Sequence, residues 1–173
     1  MPDARPPVVL IGAPGAGKTR LGKRVAKLLD VPFIDTDKRI VAEHGAIADM
    51  FDQHGEPHFR AIERSTVAQA LTENAVVALG GGAVLDHDTR AELAHHRVVQ
   101  LTVSPEAVEQ RIAGGKRPLV KDGIASWVAL VETRAPIYAS LAQLSIDTSH
   151  RPLDRIAEEI ADWVRGMDLQ TSD

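Results

Sequence analysis

Short apolar runs alternate with amphipathic stretches along the whole chain. Val8-Val9-Leu10-Ile11, Val31-Pro32-Phe33-Ile34, Ala75-Val76-Val77-Ala78-Leu79, Val98-Val99-Gln100-Leu101 and Leu144-Ser145-Ile146 are too short for helices and nearly lack polar positions. That is the pattern of strands buried on both faces. Between them lie helical spacings: Leu21, Val25, Leu28 and Leu29; Ile40 and Val41; Ile47, Met50 and Phe51, set off by Gly45 and Gly55; and Phe59, Ile62, Val67 and Leu71, with Pro57 near the start. A first-turn proline costs no hydrogen bond there. Ser104-Pro105-Glu106 opens a further helix with an N-cap, a proline and an acid suited to the helix dipole. Another runs through Trp127, Leu130 and Val131 and is expected to be disturbed at Pro136, which lacks a backbone N–H. A closing helix spans Pro152 to Val164, and the tail from 166 to 173 is expected to fray. Strands alternating with helices predict an α/β fold, a five-stranded parallel sheet with helices on both faces, in one domain over 1–173.

The first strand runs into Gly12-Ala13-Pro14-Gly15-Ala16-Gly17-Lys18-Thr19, which fits G-x-x-x-x-G-K-[ST] at every fixed position. The glycines let the backbone present a row of N–H groups to phosphate oxygens at the positive end of the next helix. Lys18 suits the β- and γ-phosphates, and the Thr19 hydroxyl suits Mg²⁺. The motif indicates a nucleoside triphosphate without distinguishing kinase, GTPase or motor.

Composition narrows the partners. The chain has 173 residues, 44% hydrophobic, with no cysteine and a net charge of −4. A disulfide framework and a thiolate metal site are therefore excluded, and a reducing compartment fits. An acidic chain with two Trp, one Tyr and three Phe lacks the basic, aromatic-studded stripe of a nucleic-acid binder. Residues 1–7 carry no apolar signal region and no run reaches membrane-spanning length, so a cytoplasmic protein is expected. The seven histidines form no ligand-spaced set.

Asp35-Thr36-Asp37 places two carboxylates at the end of the second strand, the edge where open α/β sheets bind ligands. The third strand ends in Gly80-Gly81-Gly82 rather than in a magnesium-organising aspartate, which suggests backbone approaching a ligand with no side chain between. Residues 113–123, charged and without period, read as a lid over a site. Each feature has a plainer reading. Asp35 and Asp37 also suit turn and N-cap positions, Arg60 a surface pair with Glu63, Gly80 to Gly82 a simple loop, Lys116-Arg117 a solvated charge pair, and Arg134 a cap for carbonyls freed by Pro136.

In order and spacing, the loop from Gly12 to Thr19, the Asp35-Thr36-Asp37 triplet, Phe59-Arg60 with Glu63, Gly80-Gly81-Gly82-Ala83, Lys116-Arg117-Pro118-Leu119 and Arg134-Ala135-Pro136-Ile137-Tyr138 resemble the shikimate kinase family. The resemblance covers most of the chain. It implies a P-loop kinase fold and transfer of the ATP γ-phosphoryl group to the 3-hydroxyl of shikimate, with Mg²⁺ as cofactor. It further implies that Asp37 holds the substrate hydroxyls and acts as base, while Asp35 binds magnesium through water alongside Thr19. Arg60, Arg134 and the Gly81 backbone take the substrate carboxylate, and Gly80 and Gly82 also line the substrate site. Gly12, Gly15, Ala16, Gly17, Lys18 and Thr19 hold the phosphates, Arg117 closes on them with the lid, and Arg111, Arg151 and Pro152 meet the adenine. Small-molecule substrates, no nucleic acid, no membrane and a monomer are expected.

The resemblance agrees with independent chemistry. A carboxylate with hydroxyls calls for the planar fork of arginine, and phosphoryl transfer calls for cations and water exclusion. The rival readings are a gluconate-type sugar-acid kinase and a non-catalytic nucleotide-binding module. A GTPase is disfavoured because no N-K-x-D sequence occurs.

Overall fold

The computed structural model describes residues 5–113 and 123–172. Five parallel strands lie in the order β2-β3-β1-β4-β5: β1 Val9–Gly12, β2 Phe33–Asp35, β3 Val76–Ala78, β4 Val98–Thr102 and β5 Leu144–Asp147. The central strand β1 leads through the phosphate-loop sequence into α1 (Lys18–Leu29). The chain crosses to β2, returns to β3 through α2 (Thr36–His44), α3 (Ile47–His54) and α4 (Glu56–Ala70), and reaches β4 through a short 3₁₀ turn (Ala83–Leu85) and α5 (His87–Leu93). The last elements are α6 (Pro105–Ala113), α7 (Ile124–Leu141) and α8 (Leu153–Thr171).

Alternation along the strands divides the core between the two faces. Leu10, Val76, Ala78, Val99 and Leu101 pack with Leu21 and Val25 of α1 and Ile156 and Ile160 of α8. Val9, Ile11, Val77 and Val98 point the other way, toward Val67 and Ala70 of α4, Leu93 and Tyr138. Period-two side chains on strands buried on both sides require this division. A separate small core of Ile40, Met50 and Phe59 supports the α2–α3–α4 excursion, which carries Arg60.

Two local expectations need correction. The tail does not fray at 166: α8 continues to Thr171, and Arg97 Nη1 donates to Asp168 Oδ1 at 2.6 Å, tying the last turns to the start of β4. Helix α7 likewise runs through Pro136 to Leu141. Beyond the proline, Tyr138 is buried and anchored by its hydroxyl, so tertiary contacts hold the helix across the missing N–H. The 3₁₀ turn and α5 lie in a stretch whose pattern had suggested no element.

Gly12 is where β1 meets β4. Its φ is +147°, and a Cβ there would lie 2.3 Å from Leu101 O, a backbone atom of the paired strand. Gly12→Ala is therefore expected to destabilise the protein by roughly 2–4 kcal/mol through strain and overlap. Thermal melting checks this, and an unchanged Tm would show that β1 and β4 part more easily than their register implies.

Candidate active site

The phosphate-loop residues stand at the C-terminal edge of the central strand, where Gly15 (φ +84°) and Gly17 (φ +97°) take left-handed conformations that only glycine accepts freely. Gly17 is the N-cap of α1 without a side-chain cap, and no acid occupies the first turn. The helix thus presents its N–H groups and the positive end of its dipole to an anion. Lys18 Nζ arches back to donate to Gly12 O (2.6 Å) and Ala13 O (3.0 Å). Burial lowers its pKa to about 8, against the opposing pull of Asp37 and then Asp35, with Arg134 adding to the depression.

The Asp35-Thr36-Asp37 triplet divides its work by position. Asp35 closes β2 and caps α2, accepting from Lys38 N–H at 3.1 Å through Oδ1, while Oδ2 accepts from Thr19 Oγ1 at 2.6 Å. Capping thus uses one carboxylate oxygen of Asp35 and leaves the other beside the Thr19 hydroxyl. Thr36 is fully buried, and its hydroxyl joins Ala78 O (3.4 Å) to Gly80 N–H (3.2 Å), locking the end of β2 to the exit of β3. Asp37 lies in the first turn of α2 rather than on the strand. Its pKa is raised, chiefly by burial and then by Asp35, with Lys18 and Arg60 opposing.

The three glycines after β3 explain themselves by what faces them. A Cβ on Gly80 would lie 2.4 Å from Asp37 Oδ1, one on Gly81 3.2 Å from Arg134 Nη1, and one on Gly82 2.5 Å from Arg60 Nη1. None of the three takes a left-handed φ, so glycine is required by space, not by backbone conformation. Asp37 from α2, Arg60 from α4 and Arg134 from α7 converge on one turn. The expectation of backbone meeting a ligand directly is thus extended: the turn first makes room for protein side chains.

Buried Glu63 orients Arg60, accepting from Nη1 at 2.8 Å, and exposed Glu56 accepts from Nε at 3.3 Å. Burial works against the Arg60 cation, yet the hydrogen bonds to these carboxylates hold its pKa above the ordinary value. On Glu63 burial outweighs the pairing and raises the carboxyl. Arg60 and Glu63 are thus a surface-type i,i+3 pair turned inward.

The residues expected at the adenine are less tightly gathered. Arg111 donates from Nη1 to Gly15 O (2.7 Å) and from Nη2 to Thr148 O (2.5 Å), bridging the phosphate loop to the segment after β5. Arg151 pairs with Glu159 at 2.5 Å, and Pro152 is the N-cap of α8. Lys116, Arg117, Pro118 and Leu119 lie outside the described residues, as does most of the expected lid. Three contributors are not assigned to the site by the sequence: Tyr138, whose hydroxyl donates to Gly81 O at 2.6 Å; Trp127, whose Nε1 donates to Pro14 O at 2.8 Å; and Thr148, whose hydroxyl donates to Ala16 O at 2.7 Å. A buried tryptophan or tyrosine advertises a need for a partner, but the partner's identity depends on the fold.

The chain is similar to known proteins over nearly its whole length. The family model described as shikimate kinase matches residues 14–165. A shikimate kinase of Thermobifida fusca is 46% identical over 163 residues, covering 92% of this chain and 95% of that protein. The structure of a shikimate kinase from Acinetobacter baumannii in complex with shikimate superposes with a TM-score of 0.86 at 31% identity, over 96% of each chain. A gluconokinase from Sinorhizobium meliloti, at 19% identity and a TM-score of 0.58, covers 99% of this chain and 98% of that one and shares the fold alone. Among the described residues no helix is long and apolar enough to cross a membrane.

The depressed Lys18 ammonium gives the loop a testable proton linkage. With its pKa at about 8, Lys18 is largely neutral at higher pH, and a polyphosphate brought beside it favours the charged form. Nucleotide binding should therefore take up close to one proton at about pH 9 and little through this group at about pH 7. Calorimetry in two buffers of different ionisation enthalpy measures the uptake; heats at the higher pH that are identical in both buffers would contradict it.

Proposed function

The chain belongs to the shikimate kinase family, and on that premise we propose that this site transfers the γ-phosphoryl group of ATP to the 3-hydroxyl of shikimate. The observation that carries the reading is the convergence of Arg60, Arg134 and Asp37 on the Gly80 to Gly82 turn, beside the phosphate loop. Two guanidinium groups and a carboxylate at one sheet edge form a receptor for a small hydroxylated acid.

In this reading the phosphates lie across Gly12, Gly15, Ala16, Gly17, Lys18 and Thr19, and the substrate carboxylate between Arg60, Arg134 and the Gly81 backbone. Asp37 accepts hydrogen bonds from the substrate hydroxyls and takes the proton of the attacking one; its raised pKa makes it a better proton acceptor than an ordinary aspartate. Lys18 and Arg117 draw negative charge from the moving phosphoryl group, which needs positioning and electrostatic support more than covalent chemistry. Arg111, Arg151 and Pro152 meet the adenine.

Mg²⁺ fits beside the loop, because the Thr19 hydroxyl and the Asp35 carboxylate stand within 2.6 Å of each other and are hard oxygen donors. When bound, the ion neutralises charge on the β- and γ-phosphates. Thr19 would hold it directly and Asp35 through water. We further propose that the enzyme works as a cytoplasmic monomer.

Coupled ADP release measured across shikimate, gluconate, quinate and no acceptor tests the assignment. Turnover should be confined largely to shikimate, and equal rates with gluconate would favour a broader sugar-acid kinase. Arg60→Ala and Arg134→Ala should each weaken shikimate binding by about 2 to 5 kcal/mol, as expected when a buried ion loses a charged partner. Their KM for ATP should stay close to wild type. Shikimate methyl ester should be a poor wild-type substrate, and the gap between acid and ester should narrow in both variants; kinetics blind to the ester would break the carboxylate clamp.

A further inference from the structure

Every carbonyl oxygen from Gly12 to Ala16 is held by a side chain. Lys18 takes Gly12 O and Ala13 O from within the loop. The next three are taken from outside, by one side chain each from three separate parts of the fold. Trp127 Nε1 of α7 donates to Pro14 O (2.8 Å), Arg111 Nη1 of α6 to Gly15 O (2.7 Å), and Thr148 Oγ1, just beyond β5, to Ala16 O (2.7 Å).

In a trans peptide the C=O and the following N–H point in opposite directions, and no peptide bond here is cis. A carbonyl held from outside therefore turns the next residue's N–H toward the inside of the loop. Pinning Pro14 O aims Gly15 N–H, the loop's first donor after a proline that has none. Pinning Gly15 O aims Ala16 N–H, which spans the loop to Ala13 O at 3.2 Å. Pinning Ala16 O aims Gly17 N–H, at the mouth of α1. Trp127 and Thr148 are each about 1% exposed, and Trp127 packs in a cluster with Ala13 and Val108, so neither donor competes with water for its target. The Thr148 hydroxyl has a second neighbour, Thr102 O at 3.1 Å, but that carbonyl already accepts the Thr148 N–H at 2.8 Å. Ala16 O is the nearer acceptor and, among the described residues, otherwise unshared.

We propose that Trp127 and Thr148 are positioning residues for ATP: with Arg111 they form an outer belt of donors that sets the peptide orientations of the phosphate loop before the nucleotide arrives. Apart from Pro14 the loop before Lys18 is glycine and alanine and has little stiffness of its own, and binding to a pre-set cradle avoids the entropy of ordering it. The inference rests on the reading of this loop as the ATP phosphate site. Arg111 is left out of the test because it is also proposed to touch the nucleotide.

Two substitutions remove one donor each while keeping shape. Thr148→Val deletes the hydroxyl, and replacement of Trp127 by benzothienylalanine exchanges the indole N–H for sulfur. Each should raise the KM for ATP and the Kd for ADP about fivefold, the effect of losing one neutral hydrogen bond. The KM for shikimate should remain near wild type and the Tm should fall by only a few degrees, the cost of one unpaired buried carbonyl, and Thr148→Ser should restore ATP binding. Unchanged ATP affinity in both variants would overturn the belt. So would equal losses for ATP and shikimate together with a lowered Tm, since that is the signature of general structural damage. Failure of the wild type itself to bind ATP would instead remove the reading of the loop on which the proposal stands.

Discussion

The site depends on an absence of atoms at one turn. Where β3 leaves the sheet, three successive residues carry no Cβ, and Asp37, Arg134 and Arg60 fill the space those atoms would take. The three side chains come from helices far apart in sequence, so nothing local draws them together; they meet because the turn is thin. Thr36 fixes the level of that turn by joining the end of β2 to Gly80, and Tyr138 fixes its far side through Gly81 O. Two buried hydroxyls thus hold the frame on which one anion and two cations are hung.

Charge balance explains why so many ionisable groups are tolerated in one cleft. Lys18 lies in the field of Asp37, Asp35 and Arg134, and Asp37 in the field of Asp35, Lys18 and Arg60. Burial works against each charge, depressing the lysine and raising the aspartate, and the opposite charges nearby offset part of that cost. The shifts bring both groups closer to neutrality than exposed counterparts. Those shifts suit the roles proposed for the two groups, a lysine that gains its full charge beside phosphates and an aspartate that accepts a hydroxyl proton.

Much of this was legible in the sequence. The phosphate loop, the succession of strands and of every helix but α5, and Arg60 and Arg134 as a pair follow from motif, periodicity and family resemblance, because each is written in residues close together or in a spacing shared across the family. The illegible features depend on tertiary contact. Pro136 indicates an interrupted helix, but Tyr138 beyond it is clamped into the core, and the clamp prevails over the missing N–H. Gly166 suggests fraying, but Asp168 reaches Arg97, 71 residues away in the chain. Trp127 reads only as an apolar helix position, since the carbonyl it serves is 113 residues distant. Thr148 gives no periodic signal at all.

The thin turn is tested most directly by adding a single carbon to it. Gly82 has φ −94° and ψ −1°, a conformation alanine adopts without strain, and the atoms nearest the methyl group of Gly82→Ala are those of the Arg60 guanidinium. Steady-state kinetics of that variant should show the KM for shikimate raised by about tenfold or more, because a misplaced clamp loses much of its pairing energy. The KM for ATP and the Tm should stay close to wild type. A wild-type KM for shikimate in Gly82→Ala would contradict the claim that these glycines exist to seat Asp37, Arg134 and Arg60.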